Sequence, residues 1–237
     1  MSFEIPEATF IKHLKKGVKR TIDLMAKVTD YHGGPTTTEY LLTSDVAREF
    51  IECHFEIQVE FLNRKIVNGI TQLLPRPNVP RLGSKRTDIA LLYTTLIPRA
   101  LIELKIGVTT LNGIAGDLDK ITNTIACMNS TYASKVIGAV VFQMHVDATK
   151  KRSNVTALKV EIERKERAIE TGLVTYAERN AEFRFRMERL QGPNDGISAS
   201  DHDNDGHATR FYVVLIRDKR TASPPRKLAD LKLVNRR

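Results

Sequence analysis

The chain is predicted to form one α/β domain whose core runs helix, three strands, helix, strand, with a central mixed sheet flanked by helices. Three observations predict it. Helical and strand periodicities of apolar residues alternate in that order over residues 36–145. Apolar content of 41% with 27% charged residues suits a globular chain, and 237 residues allow one substantial core. Two short apolar runs near the middle carry charges where a strand would bury them. The domain is expected to cover 1–217, with its core at about 36–145. An N-terminal helix precedes the core and a C-terminal helix plus strand pair follows it. Residues 218–237 are expected to form a basic, flexible tail.

Residues 7–29 place Ile11, Leu14, Val18, Ile22, Met25 and Val28 at spacings of three and four, with Lys12, Lys15, Lys16, Lys19 and Arg20 on the other faces, which predicts an amphipathic helix. After His32-Gly33-Gly34-Pro35, the segment Thr36-Thr37-Thr38-Glu39 has the form of a capping box and opens a second helix to about His54. Phe55, Ile57, Val59 and Phe61 alternate with Glu56, Gln58 and Glu60 as in a strand with one apolar face. Residues 63–84 are ambiguous: Ile66, Val67 and Ile70 could continue the strand, and Pro75, Pro77, Pro80 and Gly83 mark a loop. Thr87–Tyr93 and Ala100–Val108 read as neighbouring central strands separated by a segment containing Pro98. Leu111, Ile114, Leu118, Ile121, Ile125 and Met128 predict a helix, and Val136–His145 a strand buried on both faces. Ser153 to about Gly172 reads as a charged helix, and Glu182–Leu190 and Arg210–Asp218 as two strands flanking a Gly-, Asp- and Asn-rich loop.

A net charge of +9 favours polyanionic partners, nucleic acid above all. No apolar run approaches the length of a membrane span, and the N-terminal residues have no secretory apolar region. Cys53 and Cys127 form no C-x-x-C pair, so their spacing suggests neither a zinc motif nor a disulfide framework; both are expected to be small buried hydrophobes in a reduced, cytoplasmic setting.

The chemistry centres on Glu103-Leu104-Lys105. On a strand, Glu103 and Lys105 share one face while Ile102, Leu104 and Ile106 share the other. The triplets Glu163-Arg164-Lys165 and Asp230-Leu231-Lys232 lie instead in charged sequence, where solvated charges are expected. Asp88 likewise heads an apolar strand. If the two strands pair, Asp88, Glu103 and Lys105 converge at one edge of the sheet, and a hard cation such as Mg²⁺, or Mn²⁺ as a substitute, would relieve the repulsion between the carboxylates. The bland reading is that Glu103 and Lys105 pair with neighbouring strands or face solvent.

The element order, with Asp88 on the second strand and Glu103-x-Lys105 on the third, resembles the PD-(D/E)XK nuclease superfamily, whose fold is restriction-endonuclease-like. The resemblance covers about residues 36–145. Thr87 stands where the name-giving proline would, a position that varies widely in the family. The resemblance implies a Mg²⁺-dependent endonuclease or exonuclease, with Asp88 and Glu103 as metal ligands and Lys105 assisting attack on a phosphodiester. It also implies an additional acidic group on the first core helix. Glu39 fits that place, although its capping-box position explains it equally well, and Glu60 competes for the role. Asp117 and Lys120 would lie on the polar side of the second core helix, and Gln143 near the active edge.

Arg86, Lys120, Arg184 and Arg186 are the candidate nucleic-acid contacts; Arg184 and Arg186 would share one strand face, which an ordinary exposed charged edge explains equally well. Asp201–Gly206 matches the first half of an EF-hand loop, but Tyr212 stands at the twelfth position in place of the required Glu, so it reads as an acidic loop. The expected function is hydrolysis of phosphodiester bonds, in DNA rather than RNA. A non-catalytic nucleic-acid-binding module of the same fold is the alternative, and a protein that docks an acidic protein partner is the third reading. A homodimer fits the chemistry, since one metal site cuts one strand at a time.

Overall fold

The computed structural model describes residues 4–29, 39–53, 55–62, 85–92, 97–128, 130–147, 154–191, 197–198 and 206–219. Its elements are α1 (Glu7–Thr29), α2 (Glu39–Glu52), β1 (Glu56–Leu62), β2 (Arg86–Leu92), β3 (Pro98–Lys105), α3 (Asn112–Ala126), α4 (Ser130–Ala133), β4 (Ile137–Asp147), α5 (Val155–Arg179), β5 (Phe183–Arg189), β6 (Ile197–Ser198) and β7 (His207–Asp218). The strands build one mixed sheet in the order β1-β2-β3-β4-β7-β5, with the two-residue β6 pairing with β7 beside that path. The α/β class and the helix-flanked mixed sheet agree with expectation.

Two apolar layers explain why the elements stack. Ile114, Leu118, Ile121 and Ile125 of α3, with Leu158, Ile162 and Ile169 of α5, pack on Leu101, Val140, Phe142 and Val214. Phe10, Leu14 and Val18 of α1, with Leu42, Val46 and Phe50 of α2, pack on Ile89, Ile102, Val141 and Val213. Alternate residues of β3, β4 and β7 thus serve opposite cores, which is why β4 is buried on both faces. Adjacent strands β1, β2 and β3 run antiparallel, and β3 runs parallel to β4 with Glu103 opposite Val140. The crossover from β3 to β4 carries α3 onto the sheet. Gly138 sets how close that helix comes: a Cβ there would lie 2.5 Å from Ile121 Cγ2 and 3.0 Å from Ile216 Cβ.

Several expectations need correction. The alternation of β1 does not persist to Phe61. Glu60 has φ +54°, and beyond that left-handed residue Phe61 joins the core under α3, while Val59 is left half exposed. Pro98 belongs to β3, paired with Leu92 across a register irregularity. Helix α5 continues past Gly172, where the absent side chain lets Leu111 approach, and its last helical residue is Arg179. Asn154 caps its start, accepting the Ala157 N–H at 2.8 Å. Part of the expected Gly/Asp/Asn loop forms β6. Tyr212 is a buried residue of β7. The strand reaches Asp218, and the Lys219 N–H donates to the Glu182 carbonyl at 2.8 Å. The capping-box threonines, residues 63–84, Asp201–Asp205 and residues 220–237 lie outside the described residues. No helix among the described residues is long and apolar enough to cross a membrane.

Candidate metal and phosphate site at the β2–β3 edge

Strands β2 and β3 pair with Ile89 opposite Ile102 and Ala90 opposite Leu101. Counting by two from Ala90 and Leu101, which both face α3, puts Asp88 and Glu103 on that same face. Just past the Ile89–Ile102 pair, the Leu104 N–H donates to Asp88 Oδ2 at 2.8 Å. That bond anchors the carboxylate of one strand to the backbone of the next, beside Glu103.

Glu103 is 1% exposed. Its Oε2 meets the ammonium of Lys120, while its Oε1 is buried and has no hydrogen-bond partner. Lys120 arrives from α3, one residue before Ile121, whose packing against Gly138 fixes the depth of the helix. Asp117, one turn earlier, lies 3.5 Å from the same ammonium. Lys105 is nearer the surface, 3.5 Å from Glu39 Oε2 at the start of α2. The cluster therefore grades from a dry floor, Glu103, through the part-buried Asp88, to a wet rim, Lys105 and Glu39.

The electrostatics follow from that burial. Loss of water pushes the Glu103 carboxyl up to about 9, helped by the neighbouring Asp88 charge and opposed by Lys120. Burial also raises Asp88, against the Leu104 N–H and Lys120, which favour its ionised form. Burial opposes the charge on Lys120, but Glu103, Asp117 and Asp88 outweigh it and hold its pKa above the usual lysine value. A site that costs this much to charge in the absence of a ligand is suited to a cation. Its donors are oxygens, and two carboxylates are what Mg²⁺ ordinarily takes from a protein, filling its other positions with water and phosphate. Among the described residues no group of three His, Cys, Asp or Glu side chains that includes Asp88 and Glu103 has its ligand atoms all within 4.8 Å of one another.

Asp88 and Glu103 lie within electrostatic reach of one another, Lys105 pairs with Glu39, and the charges of Glu39 and Asp117 both act on Asp88. Glu60 is exposed on β1, flanked by the Val59–Ile89 and Phe61–Thr87 pairs. Arg86 lies two residues before Asp88 and is exposed. Lys120 is not an outer contact: it turns inward to Glu103. Arg184 and Arg186 do not belong to this site. They sit on the edge strand β5, with β4 and β7 between them and β3, and both contact Glu7 of α1, at 3.6 and 2.6 Å. Gln143 follows Ala139 and Val141 on the opposite face of β4, and its carbonyl accepts the Val108 N–H at 2.9 Å. Sequence placed Lys120 on the polar flank of its helix; a signal for its inward role was its place between Asp117 and Ile121, at the margin of the apolar stripe.

A second cluster, which sequence did not indicate, lies on the other face of the sheet. His13 Nδ1 of α1 is 3.2 Å from Glu49 Oε1 and 3.3 Å from Cys53 Sγ. Cys53 is part-buried with polar neighbours, not the inert buried thiol expected, whereas Cys127 is buried. Only the spacing of Glu49 and Cys53, one helical turn apart, was visible in advance. Comparison with protein-family models, with curated proteins and with solved structures gives no match for this chain.

Proposed function

We propose that this protein is a Mg²⁺-dependent nuclease that hydrolyses phosphodiester bonds, in DNA rather than RNA, with a restriction-endonuclease-like core. The observation that carries the reading is Glu103 Oε1, a buried carboxylate oxygen without a hydrogen-bond partner, with the part-buried carboxylate of Asp88 close enough to raise its pKa. The sequence α2, antiparallel β1–β2–β3, α3, and β4 parallel to β3 supports the core assignment, with Asp88 on the second strand and Glu103-x-Lys105 on the third. The net charge of +9 supports a polyanionic substrate.

Asp88 and Glu103 would hold the ion. When bound, Mg²⁺ or Mn²⁺ supplies Lewis-acid activation of the phosphate and of the attacking water. Lys105, half exposed at the rim, orients that water or offsets the charge that develops on the phosphate. Glu39 keeps the Lys105 side chain aimed at the site. Lys120 sits against Glu103 when no ion is present and would move toward Asp117, its other partner, when one binds. Arg86 contacts the substrate backbone.

One observation favours the alternative of a non-catalytic nucleic-acid-binding module: the Lys120 ammonium already occupies one oxygen of Glu103, the place a metal ion would take. Cleavage of supercoiled plasmid with Mg²⁺ and Mn²⁺ separates the two readings. Wild type is expected to cut, and Asp88→Ala and Lys105→Ala to lose at least about a hundredfold in rate. Cutting retained in both variants would sink the assignment. Salt-sensitive binding that persists in EDTA, with DNA left intact in Mg²⁺, would select the binding module.

A further inference from the structure

The second cluster has a geometry of its own. Among the described residues, His13, Glu49 and Cys53 are the one group of three potential ligands whose donor atoms all lie within 4.8 Å of one another. The edges of their triangle are 3.2 Å from His13 Nδ1 to Glu49 Oε1, 3.3 Å from His13 Nδ1 to Cys53 Sγ, and 3.9 Å from Cys53 Sγ to Glu49 Oε1. Donors bound tetrahedrally at zinc distances, about 2.0 Å for nitrogen and oxygen and about 2.3 Å for sulfur, would be about 3.3–3.6 Å apart. The triangle is thus close to one face of a zinc tetrahedron before any adjustment.

The chemistry of the donors narrows the ion. Thiolate and imidazole are soft or borderline ligands that favour Zn²⁺ over Mg²⁺, the reverse of the oxygen-only site on the other face. A single nitrogen, His13 Nδ1, points at both the thiol and the carboxylate, and one lone pair directed between them suits a metal better than two divided hydrogen bonds. The imidazole is held in place by Phe50 and Phe55, whose ring centroids lie 5.6 and 6.0 Å from its own. Glu49 is fixed by Arg20 at 3.5 Å on its second oxygen, an outer contact of the kind that orients metal-binding carboxylates. Lys16 also reaches Glu49 Oε1, at 3.2 Å, but its side chain is more than half exposed and can swing into solvent when an ion arrives.

We infer that His13, Glu49 and Cys53 form a Zn²⁺ site with three protein ligands and an open fourth position, clipping α1 to α2. The inference is independent of the proposed nuclease reading. Binding converts the Cys53 thiol to thiolate with release of a proton, so the ion meets two negative ligands and one neutral imidazole.

Cobalt is the probe, because a Co²⁺–thiolate bond gives a near-ultraviolet charge-transfer band and tetrahedral Co²⁺ gives strong visible bands. The whole chain, stripped with EDTA, is titrated with Co²⁺ and then with Zn²⁺. The expected result is a thiolate band saturating at one equivalent, bleached by Zn²⁺ and accompanied by a rise in thermal midpoint. Cys53→Ser should lose the band. His13→Asn, which keeps the thiol, should weaken binding at least about tenfold, and Asp88→Asn should leave the band intact. A folded wild type with no band, or a band that survives Cys53→Ser and so arises from Cys127, would overturn the site.

Discussion

The two faces of the sheet bury a glutamate in different ways. On the α3 face Glu103 is 1% exposed, with one oxygen against Lys120 and the other without a partner. On the α1–α2 face Glu49 is 3% exposed, yet His13, Lys16 and Cys53 surround one oxygen and Arg20 meets the other. Burial by itself therefore does not leave a carboxylate short of partners. The difference lies in what surrounds it. A carboxylate between two helices meets long Lys and Arg side chains from the neighbouring helix, whereas on a central strand the backbone N–H groups are committed to the sheet ladder and the flanking side chains are aliphatic. The deficit at Glu103 is a product of its strand.

Removing the internal cation should have the largest effect on stability. Lys120→Met removes the ammonium that meets Glu103 Oε2 and leaves both oxygens of a buried carboxyl without a hydrogen-bond partner among the described residues, and in EDTA should cost about 3 kcal/mol in denaturant unfolding. Mg²⁺ should restore a large part of that loss. Glu49→Gln on the other face keeps a hydrogen-bonding group and should cost less, with no rescue by Mg²⁺. Equal losses without rescue in Lys120→Met would erase the contrast between the faces.

Gly138→Ala comes next. The added methyl meets Ile121 and Ile216, so destabilisation of about 1–3 kcal/mol is expected, with loss of cutting beyond that seen from instability alone because Lys120 moves with Ile121. A stable variant with full cutting would show that α3 can yield without disturbing the site.

The pH dependence is a smaller effect with a definite sign. Glu103 is raised from 4.5 to about 9, so between those values the folded state binds more protons than the unfolded one. Its contribution is fully present below the unfolded value and is lost as pH rises through the folded one; the upward shift of Asp88 acts in the same direction. In EDTA the unfolding midpoint of wild type should therefore fall as pH rises toward about 9, and that of Glu103→Gln should fall less. With Mg²⁺ present the dependence should flatten, because the ion binds the deprotonated carboxylate. A wild-type curve parallel to Glu103→Gln in EDTA would place the shift elsewhere.

The smallest expected effect separates the arginines. Arg86→Ala should reduce the salt dependence of DNA binding by about one phosphate contact. Arg186→Ala, whose guanidinium is already held by Glu7 at 2.6 Å, should change it less. The opposite ranking would move the nucleic-acid path to the α1–β5 side.

Much of this was legible residue by residue. The periods of α1, α3 and β4 came through because burial on one helix face, or on both faces of a strand, writes a local pattern. Asp88, Glu103 and Lys105 stood out because a charge in an apolar run has few cheap explanations. Other features were hidden by their dependence on distant parts of the chain. The face of Phe61 turns on the backbone of Glu60, and the end of α5 lies past a glycine that serves Leu111 rather than stopping the helix. The distance of Arg184 and Arg186 from the site was hidden too, because it follows from β7 lying between β4 and β5.

By itself, the sequence determined the α/β class, the order of the elements and which charges would be costly to bury, since these follow from periodicity and desolvation along a few consecutive residues. Only the tertiary structure decided which charges meet. Lys120 reaches Glu103 because Gly138 admits α3 to the sheet, and His13 reaches Glu49 and Cys53 because α1 docks on α2. Those contacts join residues far apart in the chain, and strand order and helix docking are set by the packing of the whole core.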